Sequence, residues 1–309
     1  MMDAKHYFDY QSVVEHTDLR RLSFDLIASF RSGDKKEIST PDRGLMFQHD
    51  PEAVFVSMPA ASSKYGLYIN KVASIFERQP CDPLDTIQAL VIAFSAKNGL
   101  PIALLDGSAI TNIKCAAVSA AVTELCAIKT AKTLAIIGSG VQARQQVAGV
   151  LAVRDIETII LNGRTRNHVE CFADEIKAQH RHINIVIEDD IDKAINHADI
   201  VSTTTTSVQP LTAFDGLLPH VHINCMGGHT EHSREVPNSL LESYLVVVED
   251  IKTAIDEAGL VHQSAIELSE LARKDVDVIR KQATIFSSTG HSSLDLITTS
   301  HVLKNLQLI

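Results

Sequence analysis

The chain has 309 residues, 45% of them apolar, and its 28 lysines and arginines against 38 acidic residues give a formal charge of −10. One hydrophobic core stops growing near about 250–300 residues, so we expect two domains. The acidic balance disfavours broad binding to nucleic acid or anionic membranes. No signal peptide is expected, and the longest apolar run, 89–94, is far shorter than a membrane span, so we expect a soluble, cytoplasmic protein.

The first third of the chain mixes strand candidates with helical stretches. Residues 53–58 and 66–75 have the alternation typical of strands. Residues 86–96 fit either a buried strand or a helix by periodicity alone. The Asn98-Gly99 turn before 101–105 favours a strand, turn and strand.

From residue 133 onward, apolar runs typical of buried parallel strands alternate with helical segments. The predicted strands are 133–138, 158–161, 183–187, 199–205, 222–227, 244–249 and 283–288. Helices are expected at 142–153 and 167–180, and the last segment, 294–308, is helical and could fold back on the first domain. Seven strands with intervening helices predict an α/β fold with a doubly wound parallel sheet of the Rossmann type.

A glycine motif follows the first of these strands and opens a helix. Gly138, Gly140 and Ala143 give the pattern GxGxxA in the strand–turn–helix context of a dinucleotide site. Gly138 permits the tight turn, Gly140 lets the backbone approach a pyrophosphate, and Ala143 allows close packing of helix on sheet. The helix N-terminus then offers free N–H groups to the phosphates. The motif therefore predicts a bound dinucleotide.

The end of the second strand discriminates between NAD and NADP. An NAD site usually has a carboxylate there, but residues 161–166 read LNGRTR and contain none. Arg164 can grip a 2′-phosphate with two parallel donors, and Thr165 can add a hydroxyl. We therefore expect NADPH, with NADH as the weaker alternative.

Cysteine and histidine spacing gives no support for disulfides or a metal. The cysteines are odd in number and scattered, which is typical of reduced, buried thiols. Four histidines fall within thirteen residues, but no spacing completes a ligand set, and no metal site is expected. They are His220, His222, His229 and His232.

Read together, several segments resemble the ornithine cyclodeaminase/mu-crystallin family over nearly the whole chain. The segments are PDRG (41–44), GLYINKVAS (66–74), GLPIALLDGSAITNIKCAAVSAA (99–121), IGSGVQAR (137–144), NGRTRNHVE (162–170), INCMGGHTEHSRE (223–235) and SSTGHSSLDL (287–296). The resemblance implies an α+β substrate-binding and dimerisation domain, 1–112 with the C-terminal helix 294–309, joined to an NADP-binding Rossmann domain, 113–293. It also implies a homodimer.

The resemblance carries site residues with it. Arg43 and Lys71 match the cations that hold a substrate carboxylate, assisted by Lys114, and Thr289 matches a segment beside nicotinamide and substrate. The positions expected to contact the cofactor are Thr86, Gly138, Ser139, Gly140, Val141, Gln142, Asn162, Arg164, Thr165, Thr204, Met226 and Ser288.

Two departures from the family pattern bear on the reaction. Lys114 stands where the family usually has arginine, which replaces a bidentate fork by a point charge. His229 follows two glycines where cyclodeaminases have an aspartate. Oxidation of an amino acid needs a base, which a carboxylate supplies, whereas reduction of an imine needs a proton donor. A histidine can donate that proton near neutral pH, as can Lys71 if neighbouring cations lower its pKa.

The leading hypothesis is an NADPH-dependent ketimine reductase that converts Δ1-pyrroline-2-carboxylate to L-proline. The six-membered homologue, Δ1-piperideine-2-carboxylate, would give L-pipecolate. The alternatives are an ornithine cyclodeaminase, an alanine-type amino-acid dehydrogenase, and a non-catalytic, NADPH-dependent binding protein like the mu-crystallins. Turnover of NADPH with imine separates an enzyme from a binder. Ammonia release from ornithine identifies a cyclodeaminase.

Overall fold

A computed structural model describes residues 6–49, 52–76, 86–227 and 230–309. The chain divides into two compact units. The first comprises Met1–Lys114 and Ser292–Ile309, and the second comprises Cys115–His291. The boundary expected from sequence lay two residues away at each of these points.

Fourteen strands and eleven α-helices lie in the described ranges. The strands are β1 Tyr7–Phe8, β2 Gly44–His49, β3 Glu52–Ser62, β4 Leu67–Phe76, β5 Ile87–Ser95, β6 Pro101–Asp106, β7 Thr133–Ile137, β8 Thr158–Asn162, β9 Asn184–Ile187, β10 Ile200–Thr203, β11 His222–Cys225, β12 Leu245–Val248, β13 Ile266–Glu267 and β14 Thr284–Ser287. The helices are α1 Tyr10–Glu15, α2 Leu19–Ser32, α3 Gly107–Cys126, α4 Val141–Val153, α5 Arg166–Gln179, α6 Ile191–Ile195, α7 Asn238–Ser243, α8 Ile251–Ala258, α9 Leu268–Leu271, α10 Val276–Ile279 and α11 Ser292–Asn305.

The first unit is built on a six-stranded sheet in the order β1-β6-β5-β4-β3-β2. Strands β2 to β6 pair antiparallel, and β1 is parallel to β6. Helix α11 packs against β3, β4 and α2. The C-terminal helix therefore covers one face of the sheet, as the sequence suggested.

The ambiguous segment 86–96 contains strand β5 and no helix. Its partner across the Asn98-Gly99 turn is β6, and Ser95 N donates to Leu100 O at 2.9 Å. Gly99 has a φ of 73°, a left-handed conformation that glycine adopts without strain. The turn residues thus predicted the strand correctly, whereas apolar periodicity could not distinguish it from a helix.

Helix α3 was not assigned from the sequence. Asp106 begins it, because the Oδ1 of its side chain accepts from Ala109 N at 2.8 Å and caps the helix. The helix is long and apolar enough to cross a membrane by length and composition, yet 78% of its most apolar window is buried within the fold. It is therefore a core helix.

The second unit contains an eight-stranded, all-parallel sheet in the order β13-β12-β14-β11-β10-β7-β8-β9. This confirms the Rossmann-type prediction, although the expected seven strands omit β13, an edge strand of two residues. Successive residues of β7 point to opposite faces, so that Leu134 and Ile136 enter one core while Ala135 and Ile137 enter the other. The strand order reverses at β7, with β8 and β9 on one side and β10 and β11 on the other, and ligands bind such sheets at this point.

His222 allows a test of this core by pH. It is fully buried on β11, with Nδ1 2.8 Å from Thr284 Oγ1 and Nε2 3.1 Å from Asn224 Oδ1. Burial lowers the pKa of His222 to about 3. In the unfolded chain the histidine pKa is about 6.5, so below that pH the unfolded chain binds a proton that buried His222 does not bind. The stability contributed by the neutral, buried imidazole is therefore lost as pH falls from about 6.5 towards 3.

We expect His222→Gln to reduce the loss of unfolding free energy between pH 7 and pH 5 by about 2 kcal/mol relative to the parent protein. Urea denaturation at the two pH values measures this difference. His182→Gln is the matched control, because His182 is exposed. An unchanged pH dependence in His222→Gln would show that the imidazole titrates alike in both states.

Candidate functional site

Two lysines and one carboxylate meet inside the first unit. Lys71 Nζ lies 2.8 Å from one carboxylate oxygen of Asp295, and Lys114 Nζ lies 3.5 Å from the other. Asp295 is fully buried, and each lysine is 5% exposed. The three residues form a nearly dry cluster with a net charge of +1, which we call the lysine cluster.

Each member reaches the cluster through its own element. On β4, Leu67, Ile69 and Lys71 alternate with exposed residues and so face the buried side of the sheet. Lys114 lies on α3, and Asp295 lies in the first turn of α11. A helix N-terminus favours an anion at that position. The fold therefore buries all three charges at one place.

Arg43 directly precedes β2. Gly44 pairs with Ser57, and Met58 pairs with Lys71, so continuing the register by one residue brings Arg43 to the row of Met58 and Lys71. Neighbouring strands lie about 4.8 Å apart, which places the Arg43 and Lys71 backbones about 10 Å from each other. A small carboxylate can bridge side chains at that separation.

The electrostatics of the lysine cluster favour an ionised Asp295. Burial by itself would raise the pKa of this carboxyl, but the charges of Lys114 and Lys71 lower it more, and the resulting pKa lies below its ordinary value. The carboxylate balances one of the two ammonium charges. Two ammonium groups thus share this one carboxylate.

Seven of the predicted cofactor residues of the second unit line one cleft of about 770 Å³. It lies at the carboxyl ends of β7, β8 and β10, where the strand order of the sheet reverses. The predicted residues that line it are Gly138, Ser139, Gly140, Asn162, Arg164, Thr165 and Thr204. Val141 and Gln142 begin α4 beside the cleft.

The glycine loop has the geometry that its sequence predicted. Gly138 has a φ of 121°, and a Cβ there would lie 2.4 Å from Thr204 Oγ1. Thr204 Oγ1 itself donates to Ile137 O at 3.1 Å. At Gly140, the N-cap of α4, a Cβ would meet nothing within 4 Å. The space beside Gly140 and the helix N-terminus therefore fit a pyrophosphate.

The end of β8 presents one uncommitted arginine. Arg164 is exposed, and within the described part of the chain it makes no hydrogen bond or ion pair. Arg166 differs, because it pairs with Glu170 and Asp189 at 2.8 Å each. The Asn162 side chain donates to Glu188 O at 2.8 Å, so it ties β8 to the end of β9.

The other expected cofactor residues are distributed over both units. Thr86 immediately precedes β5 in the first unit. Met226 follows β11, and its sulfur accepts from Ser119 Oγ at 3.2 Å. Ser288 and Thr289 follow β14. His229, the expected proton donor, lies outside the described residues, as does Gly228.

Two buried glutamates that the sequence reasoning missed organise the loops after the strands. Each carboxylate oxygen of Glu235 accepts two hydrogen bonds, at 2.6–2.9 Å. Thr203 Oγ1 and Gly227 N donate to Oε2, and the backbone N and the hydroxyl of Thr205 donate to Oε1. Glu249 accepts from Ser288 Oγ at 2.5 Å and from Gly290 N at 3.1 Å. These carboxylates hold the loops that follow β10, β11 and β14.

A signal for these residues was present in the sequence. Glu249 directly follows the apolar run of β12, and Asp295 is the only charge among the first twelve residues of α11. A charge in such surroundings must be paired when it is buried. The partners of Asp295, however, are Lys71 and Lys114, which lie far away in the sequence, and spacing along the chain cannot identify them.

Within the described ranges, no group of three or more histidine, cysteine, aspartate or glutamate side chains could hold a metal ion. His220 precedes β11 and lies 3.2 Å from Asp199, while His222 is buried on the strand.

Residues 5–307 match the profile of the ornithine cyclodeaminase/mu-crystallin family. A Δ1-pyrroline-2-carboxylate reductase from Bacillus cereus is 31% identical over 281 residues, which cover 85% of each chain. The ketimine reductase mu-crystallin of Rattus norvegicus is 26% identical over 280 residues, covering 89% of this chain and 88% of the rat protein.

A solved structure shares the fold over nearly the full length. It is the Δ1-pyrroline-2-carboxylate reductase of Thermococcus litoralis in complex with NADH and L-proline, with a TM-score of 0.89 and 22% identity. The match covers 97% of both chains.

Proposed function

Because the chain belongs to the ornithine cyclodeaminase/mu-crystallin family, we propose that it reduces a cyclic imino acid with NADPH, preferably Δ1-pyrroline-2-carboxylate to L-proline. The observation that carries the proposal is the buried lysine cluster with its net charge of +1. It suits a small substrate with one carboxylate. The Bacillus cereus and Thermococcus litoralis relatives are named for this activity.

Lys71 and Lys114 would bind the substrate carboxylate together with Arg43. Charge-assisted hydrogen bonds in a dry site are strong and hold the ring in one orientation. NADPH, when bound, supplies a hydride to C2 of the imine. Fixing both reactants at short distance accounts for much of such a rate enhancement. The same contacts suit the six-membered Δ1-piperideine-2-carboxylate, which would give L-pipecolate.

Reduction also requires a proton on the ring nitrogen. Lys71 can donate it from its ammonium group, and His229 remains the second candidate. If the iminium ion binds already protonated, neither donor is needed and the negative charge of Asp295 offsets the positive ring. All three routes end in the same amine.

The uncommitted Arg164 supports NADPH as the preferred cofactor. We expect NADPH to be favoured over NADH by at least about tenfold in kcat/KM, or about 1.4 kcal/mol, through contacts of Arg164 and Thr165 with the 2′-phosphate. Arg164→Ala should remove most of this preference and leave NADH kinetics nearly unchanged. Steady-state kinetics with both cofactors measure the ratio.

Arg166→Ala is the control for charge in the same loop. Arg166 is paired with Glu170 and Asp189, so we expect its removal to change cofactor preference less than removal of Arg164 does. Equal use of NADPH and NADH by the parent enzyme would refute the assignment of Arg164.

We propose further that the protein is a cytoplasmic homodimer formed through the outer face of the first sheet. Opposite the face covered by α11, this sheet forms an apolar cavity of about 780 Å³. Met46, Val72 and Leu90 line it and are 69%, 36% and 38% exposed. Apolar patches of this kind mark association surfaces. A second copy of the same sheet face has the matching apolar character.

Leu90→Glu tests this interface, since it places a charge in the middle of the apolar face. We expect Leu90→Glu to sediment as a monomer and Leu100→Glu to sediment as a dimer in analytical ultracentrifugation. Leu100 is exposed but lies outside this face. A monomeric parent protein, or a dimeric Leu90→Glu, would contradict the proposed interface.

A further inference from the structure

We propose that Asp295 is a positioning residue of the substrate site, which fixes the ammonium groups of Lys71 and Lys114 in one arrangement and keeps both charged. This inference rests on the proposed function, since the two lysines are taken as the carboxylate clamp. Neither the sequence reasoning nor the comparisons assign Asp295 a role.

Asp295 contributes little to stability beyond what an apolar residue would. Moving a carboxylate and two ammonium groups out of water costs several kcal/mol per ion, and replacing buried ion pairs by apolar residues is often neutral or stabilising. Asp295 nevertheless lies fully buried in α11, whose neighbouring residues are mostly buried as well. Its energetic contribution is therefore best sought in the site.

Asp295 contacts both lysines and so defines the geometry of the clamp. A lysine carries a compact charge on a flexible four-carbon stem and lacks the rigid fork of arginine. Asp295 contacts Lys71 and Lys114 through different oxygens, at 2.8 and 3.5 Å. One carboxylate therefore defines the positions of two mobile ammonium groups at once. This restores for Lys114 the orientation that an arginine fork would have supplied.

The negative charge of Asp295 also favours the charged form of both lysines. Two ammonium groups that share a dry site disfavour each other's charged form, and an opposite charge between them reverses that effect. Lys114 and Lys71 are the two charges that act on Asp295. Without the carboxylate, the substrate would meet a clamp with one deprotonated lysine.

Other titratable groups on the elements that pack against α11 lie further along. Asp25 of α2 pairs with His301, almost two helical turns beyond Asp295. Glu52 begins β3, six residues from Met58, which is the partner of Lys71 on that strand. Asp295 is therefore an acidic partner that Lys71 and Lys114 share, and Arg43 lies in the row of Lys71.

The test compares pH profiles of kcat/KM for imine reduction in Asp295→Asn and in the double variant Asp295→Asn/Lys114→Met. In Asp295→Asn we expect the alkaline limb of the profile to move at least about one pH unit lower, together with at least a tenfold rise in KM at neutral pH. In the double variant Lys71 is the sole ammonium of the cluster, and the limb should return towards that of the parent enzyme. Asp295→Glu should keep the parent limb, because it keeps the charge.

Thr299→Val, on the same helix and fully buried, is the control for packing and should leave the profile unchanged. A purely structural Asp295 would lower stability in Asp295→Asn without moving the limb, and that result would overturn the proposal. So would a double variant whose limb is displaced further than that of Asp295→Asn.

A second readout does not depend on turnover. NMR titration of the lysine ¹⁵Nζ signals in the substrate-free protein should show both cluster lysines charged to high pH in the parent, and one titrating at least about one unit lower in Asp295→Asn. If the parent protein fails to reduce the imine, the proposed function fails while this titration still decides the role of Asp295. Unshifted lysines in Asp295→Asn would overturn it. Should Asp295→Asn not fold, the titration in Asp295→Glu gives the decision, since a lowered lysine pKa in that variant contradicts the proposal.

Discussion

Lys71→Ala is expected to lower kcat/KM for Δ1-pyrroline-2-carboxylate at least about 100-fold, while the Kd for NADPH stays nearly unchanged. The substitution removes a charge-assisted contact to the carboxylate and, with it, the orientation of the ring. Folding should persist, because Lys114 still balances the charge of Asp295. Steady-state kinetics and a fluorescence titration with NADPH measure the two quantities.

Arg43→Ala should have a similar effect on kcat/KM. Lys97→Ala is the matched control, since Lys97 is exposed in the turn between β5 and β6 of the same unit. A folded Lys71→Ala protein with activity near that of the parent would exclude Lys71 from the site.

The second large effect is expected from the two glycines of the cofactor loop, and it differs between them. Gly138→Ala forces a Cβ to 2.4 Å from Thr204 Oγ1 at a φ of 121°, so it should destabilise the fold by about 1–3 kcal/mol and abolish NADPH binding. At Gly140 a Cβ meets nothing within 4 Å of the protein. Gly140→Ala should therefore leave the unfolding free energy nearly unchanged while it blocks the close approach of the pyrophosphate.

Denaturation and NADPH titration of the same two variants separate these effects. For Gly140→Ala we expect the Kd for NADPH to rise at least about tenfold, which corresponds to about 1.4 kcal/mol. A Gly140→Ala protein that binds NADPH normally would show that the pyrophosphate does not approach this loop.

Local patterns predicted much of the architecture, because strands and turns depend on neighbouring residues. The run 133–137 and the glycines after it are contiguous, and the structure has the strand, turn and helix that they predict. The Asn98-Gly99 turn identified β5 as a strand for the same reason. Helix α3 and strand β2 were missed, since the first is apolar on most faces and the second is an edge strand with little burial.

The lysine cluster shows where such reasoning ends. The family resemblance predicts Lys71 as a substrate-binding residue, but its pairing with Asp295 joins distant parts of the chain. The same applies to Glu235 and Glu249, whose partners lie on loops after other strands. Contacts of this kind follow from the topology of the sheets and helices, which has to be known first.

Asp295 also bears on the direction of the reaction, because it places a carboxylate beside Lys71. The lack of an aspartate at position 229 predicts a site without a carboxylate base, whereas the structure has a buried carboxylate beside Lys71. That carboxylate is engaged by two ammonium groups, and these charges lower its pKa and with it its strength as a base. The reductive direction therefore remains the one that the charges of the cluster favour.

The most direct test of this account measures both directions in one purified preparation. The protein is incubated with NADPH and Δ1-pyrroline-2-carboxylate, and separately with NADP⁺ or NAD⁺ and L-ornithine, and NADPH consumption, proline and ammonia are quantified. We predict rapid NADPH consumption with an equal yield of L-proline, and little ammonia from ornithine. Ammonia release from ornithine faster than imine reduction would contradict the account and identify a cyclodeaminase, and NADPH binding without turnover of either substrate would contradict it in favour of a binding protein.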